Sequence, residues 1–287
     1  MLLVGLVGTI INQALKLIFR IPRPWVIDEK FTVVGGDPVK EAASGFSFPS
    51  GHTQNVAGTF GSIYASTGKR WLKILSIVVI ALVAFSRMYL GVHTPADVIT
   101  SLVIAAVLVL CFYPVFKTEE RMDKAMPYVA AGSILISLAL LLFVFLSSSE
   151  GLDTASLENL KSGRKNASTL FGCIIALPLV YYVDKRYTKF ESSASWYVQI
   201  IKFVLGLLGV LAIKAGLSTP LVLLFGNEYI ARGVRYFLIV VFAGLLWPMA
   251  FKALGKIKIP ALDRFGERVS SLFSKKRRVN EEEQSEA

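Results

Sequence analysis

Apolar residues fall along this chain in long runs, separated by short polar and often basic connections. A helix needs about 20 apolar residues to cross the hydrocarbon core of a bilayer. The runs predict spanning helices over 2–19, 53–66, 71–88, 96–116, 126–146, 170–183, 198–217 and 234–254, eight in all. The second is unlike the others, because Thr53-Gln54-Asn55-Val56-Ala57-Gly58-Thr59 is small and polar. Such a face suits the inside of a bundle, where small side chains let helices approach closely. A re-entrant helix is the other reading of that segment. The expected fold is all-α: a polytopic transmembrane bundle of about eight spanning helices.

The charges orient this bundle. Lys69, Arg70 and Lys73 follow the second segment, Lys117, Arg121 and Lys124 the fourth, and Lys185, Arg186 and Lys189 the sixth; Lys275-Lys276-Arg277-Arg278 follows the eighth. If every segment crosses, all four clusters lie on one side, which the positive-inside rule makes cytoplasmic. The opposite side then holds the 20s–40s connection, the turn near residue 90 and the polar stretch 147–166. The protein is expected in a cell membrane, with that face extracytoplasmic, or luminal in an internal membrane.

Composition agrees. Of 287 residues 54% are hydrophobic and 18% charged, and the mean hydropathy is +0.59, outside the range of ordinary soluble domains. The net charge of +11 sits between apolar runs and not on a basic face interleaved with aromatics, which argues against a nucleic-acid partner. Cys111 and Cys173 each lie inside an apolar run, so neither a disulfide framework nor a metal set is expected. The chain opens on Met1-Leu2-Leu3-Val4 with no basic region or small-residue cleavage site, so its first run reads as a spanning helix and not a signal peptide.

The only two histidines, His52 and His93, flank spanning segments on the same, non-cytoplasmic side. His52 lies in Phe48-Pro49-Ser50-Gly51-His52, where Ser50 can cap the following helix and Gly51 lets backbone come close to a ligand. The unpaired N–H groups of a helix start are a natural seat for phosphate. His93 lies in Val92-His93-Thr94-Pro95-Ala96-Asp97, where Thr94 is a good N-cap and Pro95 fits the first helical position. Asp97 has two readings here. It stands where the acid of a capping box belongs, and it stands four residues from His93, where it can accept a hydrogen bond from one ring nitrogen and leave the other nucleophilic. The spacing does not say which nitrogen is which. Lys16, Arg20 and Arg23 cluster at the outer end of the first helix, against the charge rule, and Arg87 joins them from the third. Cations facing two histidines and two helix starts make an anion site, and arginine's forked donors match phosphate oxygens.

Lys16, six residues and Arg23-Pro24, then Pro49-Ser50-Gly51-His52, then Ser86-Arg87, five residues, His93, three residues and Asp97 together resemble the three-part signature of the type 2 phosphatidic acid phosphatase superfamily. Its members include membrane lipid phosphatases and relatives of vanadium haloperoxidases. The resemblance covers roughly residues 10–115. It implies His93 as nucleophile, with a phosphohistidine intermediate, His52 as acid and then base, and Asp97 as the orienter of His93. Lys16, Arg23, Arg87 and the backbone near Ser50 and Gly51 would hold the phosphoryl oxygens, with Arg20 outside the signature as a more distant cation. It implies no metal or other cofactor, and a lipid phosphate or diphosphate of prenyl, glycerophospholipid or sphingoid type as substrate.

On this reading 1–116 is the phosphatase core, 117–256 carries additional transmembrane helices, and 257–287 is a cytoplasmic tail, basic then acidic. Members of the family usually carry two helices before the one bearing the lysine, and an even number of missing helices leaves the sidedness unchanged. The later helices resemble sphingosine-phosphate phosphatase-like members in extent alone. Glu228, Arg232 and Arg235 read as solvated charges at loop ends. Phosphotransfer to an acceptor other than water is the nearest alternative. A lipid transporter using the same anion site is a second, although no pair of Gly/Pro-broken helices marks an alternating-access site.

Overall fold

The computed structural model describes residues 1–28, 30–43, 45–188, 193–257, 259–260, 262 and 264. Lys189, the cluster at 275–278 and nearly all of the expected tail lie outside the described residues. The chain is all-α. In order it forms α1 (Leu2–Phe19), the short α2 (Pro24–Ile27) and α3 (Asp37–Ala42), α4 (Gly51–Ser66), α5 (Arg70–Tyr89), α6 (Pro95–Val115), α7 (Glu119–Leu146), α8 (Thr154–Val183), α9 (Trp196–Gly216), α10 (Ser218–Phe225) and α11 (Glu228–Val241). A π-helical turn, Phe242–Leu246, carries α11 on into Trp247–Met249 and Phe251–Leu254.

Seven helices among the described residues are long and apolar enough to cross a membrane. The eighth segment is α4, whose 16 residues span about 24 Å at roughly 1.5 Å per residue. It lies along α1, α5 and α6 and buries Thr53, Gln54, Ala57 and Gly58. Its direction follows from its neighbours. Near its start, Asn12 donates to the Pro49 carbonyl (3.2 Å) and Thr9 to Asn55 (3.0 Å). Further along, a Cβ on Gly58 would stand 3.2 Å from Val4, and Ser62 and Ser66 share a cavity with Met1 and Val4. Thus α4 runs antiparallel to α1. Against α6 the order runs the same way in both helices: Ser50 meets Asp97 and Ser101, Gly61 faces Val109, and Ser66 shares that cavity with Phe112 and Phe116. Helix α4 thus lies along its neighbours from end to end, the packing of a crossing helix. The starts of α4 and α6 therefore lie at one end of the bundle.

Two helices begin well before their apolar runs. Helix α7 starts at Glu119 and not at 126, because Thr118 caps it (Arg121 N–H to Oγ1, 3.4 Å) and Lys124 pairs with Glu120 one turn on (2.7 Å). Helix α8 starts at Thr154 and not at 170, so most of the polar stretch read as a loop is helix. Its first half is amphipathic: Leu160, Gly163 and Ala167 are buried, while Glu158 and Lys161 are exposed. Counting apolar residues misses such a segment, whose stability comes from one buried stripe. The sequon Asn166-Ala167-Ser168 therefore lies in helix, with Ser168 buried and Asn166 bonded to Gln13 (3.1 Å).

Among the described residues, one compact unit comprises Met1–Pro178 with Thr219–Phe237, the other Leu179–Ser218 with the stretch from Leu238 onward. The core of the first joins Ile10 and Leu17 of α1 to Leu140 and Val144 of α7 and to Leu160, Ala167, Leu170 and Ile174 of α8. Glu228 pairs with Lys165 (3.3 Å) and Arg232 donates to Thr169 (2.8 Å), so both charges serve the packing of α11 on α8. A Cβ on Gly172 would strike the Gly233 carbonyl there, which makes this crossing a backbone contact. In the second unit Trp247 donates to the Lys202 carbonyl (3.1 Å), and the buried Lys202 ammonium lies 4.5 Å from the centre of the Phe251 ring.

Candidate active site

The site is built where α6 begins. Thr94 caps the helix, accepting from the Asp97 N–H (3.3 Å), Pro95 supplies the first helical residue, and the Asp97 carboxylate accepts from the Thr94 N–H (2.8 Å). Just before the cap, Gly91 turns the chain at φ 73°, where a side chain would also collide with Phe31. That turn drops His93 back over Asp97, Nδ1 to Oδ2 3.2 Å. The capping contact and the contact to His93 fall on a single oxygen. Ser47 donates to it as well, at 2.5 Å.

The hydrogen bonds assign the ring. A carboxylate only accepts and a guanidinium only donates. His93 Nδ1 faces Asp97, so it carries the hydrogen; Nε2 faces Arg23 Nη1 at 3.0 Å and so presents its lone pair. His93 is 5% exposed. Burial pushes its pKa down to about 4, helped by the positive charges of Arg23 and Lys16 and opposed by the bond to Asp97. Near neutral pH the ring is uncharged, which is the form a nucleophile requires.

Lys16, Arg23 and His93 are gathered by the segment between α3 and α4. The Lys16 ammonium donates to the carbonyls of Phe46 and of Ser47 (3.0 Å to Ser47). Arg23 donates from Nε to Gly45 (3.0 Å) and from Nη1 to Val92 (2.7 Å). Both cations are buried. Arg87, half-buried at the end of α5, donates to Ser86 (3.3 Å), and it is foremost among the charges acting on His52, with Arg23 and Lys16. His52 itself is exposed in the first turn of α4.

Ser50 and Arg20 make contacts of their own. The Ser50 N–H donates to the Asp97 carbonyl (3.1 Å) and its hydroxyl bonds Thr53 (3.0 Å), so Ser50 ties α4 to α6 and caps α4. The open donors of that helix start are the N–H groups of Gly51 and His52. Arg20 stands apart from the cluster: it ends α1 in a left-handed conformation, exposed, with Nε on the Leu17 carbonyl (3.1 Å). Sequence reading also passed over Ser47, which carries no cap or helix-period signal, and the carbonyls that hold the cations. Among the described residues no group of three or more His, Cys, Asp or Glu could hold a metal ion.

An all-α membrane bundle with a histidine held among buried cations at one end defines a polytopic membrane protein with a cation-lined site. Comparison with known proteins places it. The chain belongs to the PAP2 superfamily, whose profile matches residues 1–121, and the PAP2 superfamily phosphatase transmembrane extension matches residues 165–258. An undecaprenyl-diphosphatase of Bacillus subtilis is 30% identical over 110 residues, 38% of this chain and 52% of the relative. A phosphatidylglycerophosphatase B of the same organism is 36% identical over 90 residues, 28% and 43%. The human sphingosine-1-phosphate phosphatase 2 is 27% identical over 127 residues, 41% and 29%. The matches thus span about half the length of these relatives or less. No solved structure matches the chain.

Proposed function

We propose that the chain is an integral membrane lipid phosphatase acting through a phosphohistidine on His93, without a metal. The observation that carries this reading is the ring of His93, held through Nδ1 by Asp97 with Nε2 turned toward Arg23. A lipid phosphate oxygen takes Arg23 from the lone pair, and the oxygens replace the carbonyls of residues 45–47 as partners of Lys16 and Arg23. Arg87 and the N–H groups of Gly51 and His52 complete the seat. Nε2 then attacks phosphorus in line, the bond from phosphorus to the lipid oxygen breaks, and His52 protonates that oxygen. Water attacks the phosphohistidine next, with His52 taking its proton, and inorganic phosphate leaves. Placement and fixed positive charge supply most of the acceleration. The substrate class is drawn from the relatives, which act on prenyl diphosphate, phosphatidylglycerophosphate and sphingoid-base phosphate by name.

The test is phosphate release by purified protein from undecaprenyl diphosphate, phosphatidylglycerophosphate, phosphatidate and sphingosine-1-phosphate, with EDTA present. Turnover of at least one is expected, blocked by vanadate, with an acid-labile and base-stable phosphoryl label on the protein. Loss of activity in EDTA that a divalent metal restores would contradict the mechanism.

The proposed active site faces the extracytoplasmic side; supporting this, both histidines lie at the bundle end opposite the basic connections at 69–73 and 117–124. Single cysteines at exposed Lys30 and Thr118, in a background lacking Cys111 and Cys173, test this with an impermeant thiol reagent on intact cells. Lys30→Cys is expected to label, and labelling of Thr118→Cys instead would reverse the orientation.

A further inference from the structure

We propose that Ser47 is a positioning residue for this phosphoryl transfer, its hydroxyl locking the Asp97 carboxylate against His93. The inference rests on the function proposed above and adds a residue outside the three-part signature. Ser47 is fully buried and pinned on both sides of its own backbone. Its N–H donates to the Ile21 carbonyl at 2.8 Å, and its carbonyl accepts from Lys16 at 3.0 Å. With the main chain so held, the hydroxyl donates to Asp97 Oδ2 at 2.5 Å and stands 3.5 Å from His93 Nδ1.

A buried hydroxyl needs a partner, but a backbone carbonyl satisfies it. Ser76 and Ser101 show the usual solution, donating to carbonyls four residues back at 2.7 and 2.8 Å. Ser47 instead reaches 50 residues along the chain to the one carboxylate that orients the nucleophile. The contact is the short, charge-assisted kind. Three donors converge on that oxygen: Ser47, the Thr94 N–H and His93 Nδ1. Thr94 holds it from α6 itself and Ser47 from the segment that also holds Lys16. The hydroxyl thereby couples the phosphate-binding side of the site to the nucleophile's side.

When Nε2 takes the phosphoryl group, the ring becomes cationic and its Nδ1–H leans harder on Oδ2. A carboxylate free to turn would meet that charge late. Removing the hydroxyl should therefore lower kcat and leave KM nearly unchanged. It also frees carboxylate charge for the ring, so the titration of His93 should move up from about 4. The charged groups that bear on His93, namely Arg23, Lys16 and Asp97, stay in place.

The experiment compares the parent with Ser47→Ala and Ser47→Thr on whichever of the four lipids the parent hydrolyses, and Ser47→Cys replaces the alanine variant if that does not accumulate. Ser47→Ala should lose about tenfold or more in kcat with KM within about threefold, as for an interaction made in the transition state. Ser47→Thr, which keeps the hydroxyl, should recover most of the loss. In an Asp97→Asn background, Ser47→Ala should cost less than about twofold more, since coupled residues are not additive. Equal losses in both backgrounds, or a Ser47→Ala enzyme within about twofold of the parent, would overturn the proposal. A second readout needs no turnover. With only two histidines, ring ¹⁵N spectra resolve His93, and its titration midpoint should rise in Ser47→Ala; an unmoved midpoint counts against the role. A parent that releases phosphate from none of the lipids defeats the proposed function instead, while the spectra still decide the contact.

Discussion

His93→Ala is expected to abolish turnover in a protein that still inserts and folds. In the proposed mechanism the imidazole is the nucleophile, with Nδ1 engaged by Asp97 and Nε2 presented to Arg23. Without it the phosphoryl group has no acceptor for the first step, and the loss should be about 10⁴-fold or more in kcat, as for removal of other enzymic nucleophiles. The phosphoryl label should vanish with the activity. Phosphate release within about tenfold of the parent would take the nucleophile's role away from His93. The surviving fold is expected because the cap of α6 belongs to Thr94 and Asp97 and not to the histidine.

Asp97→Asn separates the two tasks that meet on one oxygen. An amide oxygen can still accept from Ser47, Thr94 and His93, so the helix cap should survive with a stability loss of about 1 kcal/mol or less. What disappears is the negative charge beside a ring that turns cationic on phosphorylation. By analogy with the carboxylate of a serine-protease triad, kcat should fall by about 10²- to 10⁴-fold with little change in KM. If Asp97 served the capping box alone, kcat of Asp97→Asn would stay within about threefold of the parent. That outcome would sink the orienting role.

The pH dependence has a definite sign. The folded protein holds His93 near 4, below the ordinary histidine value of 6.5. Unfolded chain binds the proton more readily, so the contribution to stability is full above 6.5 and is lost as pH falls toward 4. The acid limb of kcat/KM for the free enzyme follows the same group, with activity lost as Nε2 becomes protonated. An acid limb centred near 6.5 would mean that the ring is not buried as described.

Much was legible before any coordinates. Long apolar runs dictate spanning helices because a bilayer leaves backbone groups no partner outside a helix or a closed barrel. Local caps were readable too: Thr94, Pro95 and Asp97 act within four residues of one another, and Ser50 caps α4 as its position predicts. The spacing of His93 and Asp97 is a property of one turn and needs no fold to specify it. Where helical stability came from a one-sided stripe, as in the first half of α8, the apolar count failed and only packing on α1 and α7 showed the helix.

Tertiary structure alone decided the rest, since those contacts join residues tens of positions apart. It decided that α4 lies along both α1 and α6, which puts the two histidines at one end of the bundle. It distinguished the two nitrogens of His93, because Arg23 reaches Nε2 across 70 residues. It set Arg20 on the C-terminus of α1, and it turned the Ser50 N–H inward to α6. It also brought Ser47 to Asp97, a placement no local pattern encodes, because a serine hydroxyl takes whatever acceptor the fold sets beside it.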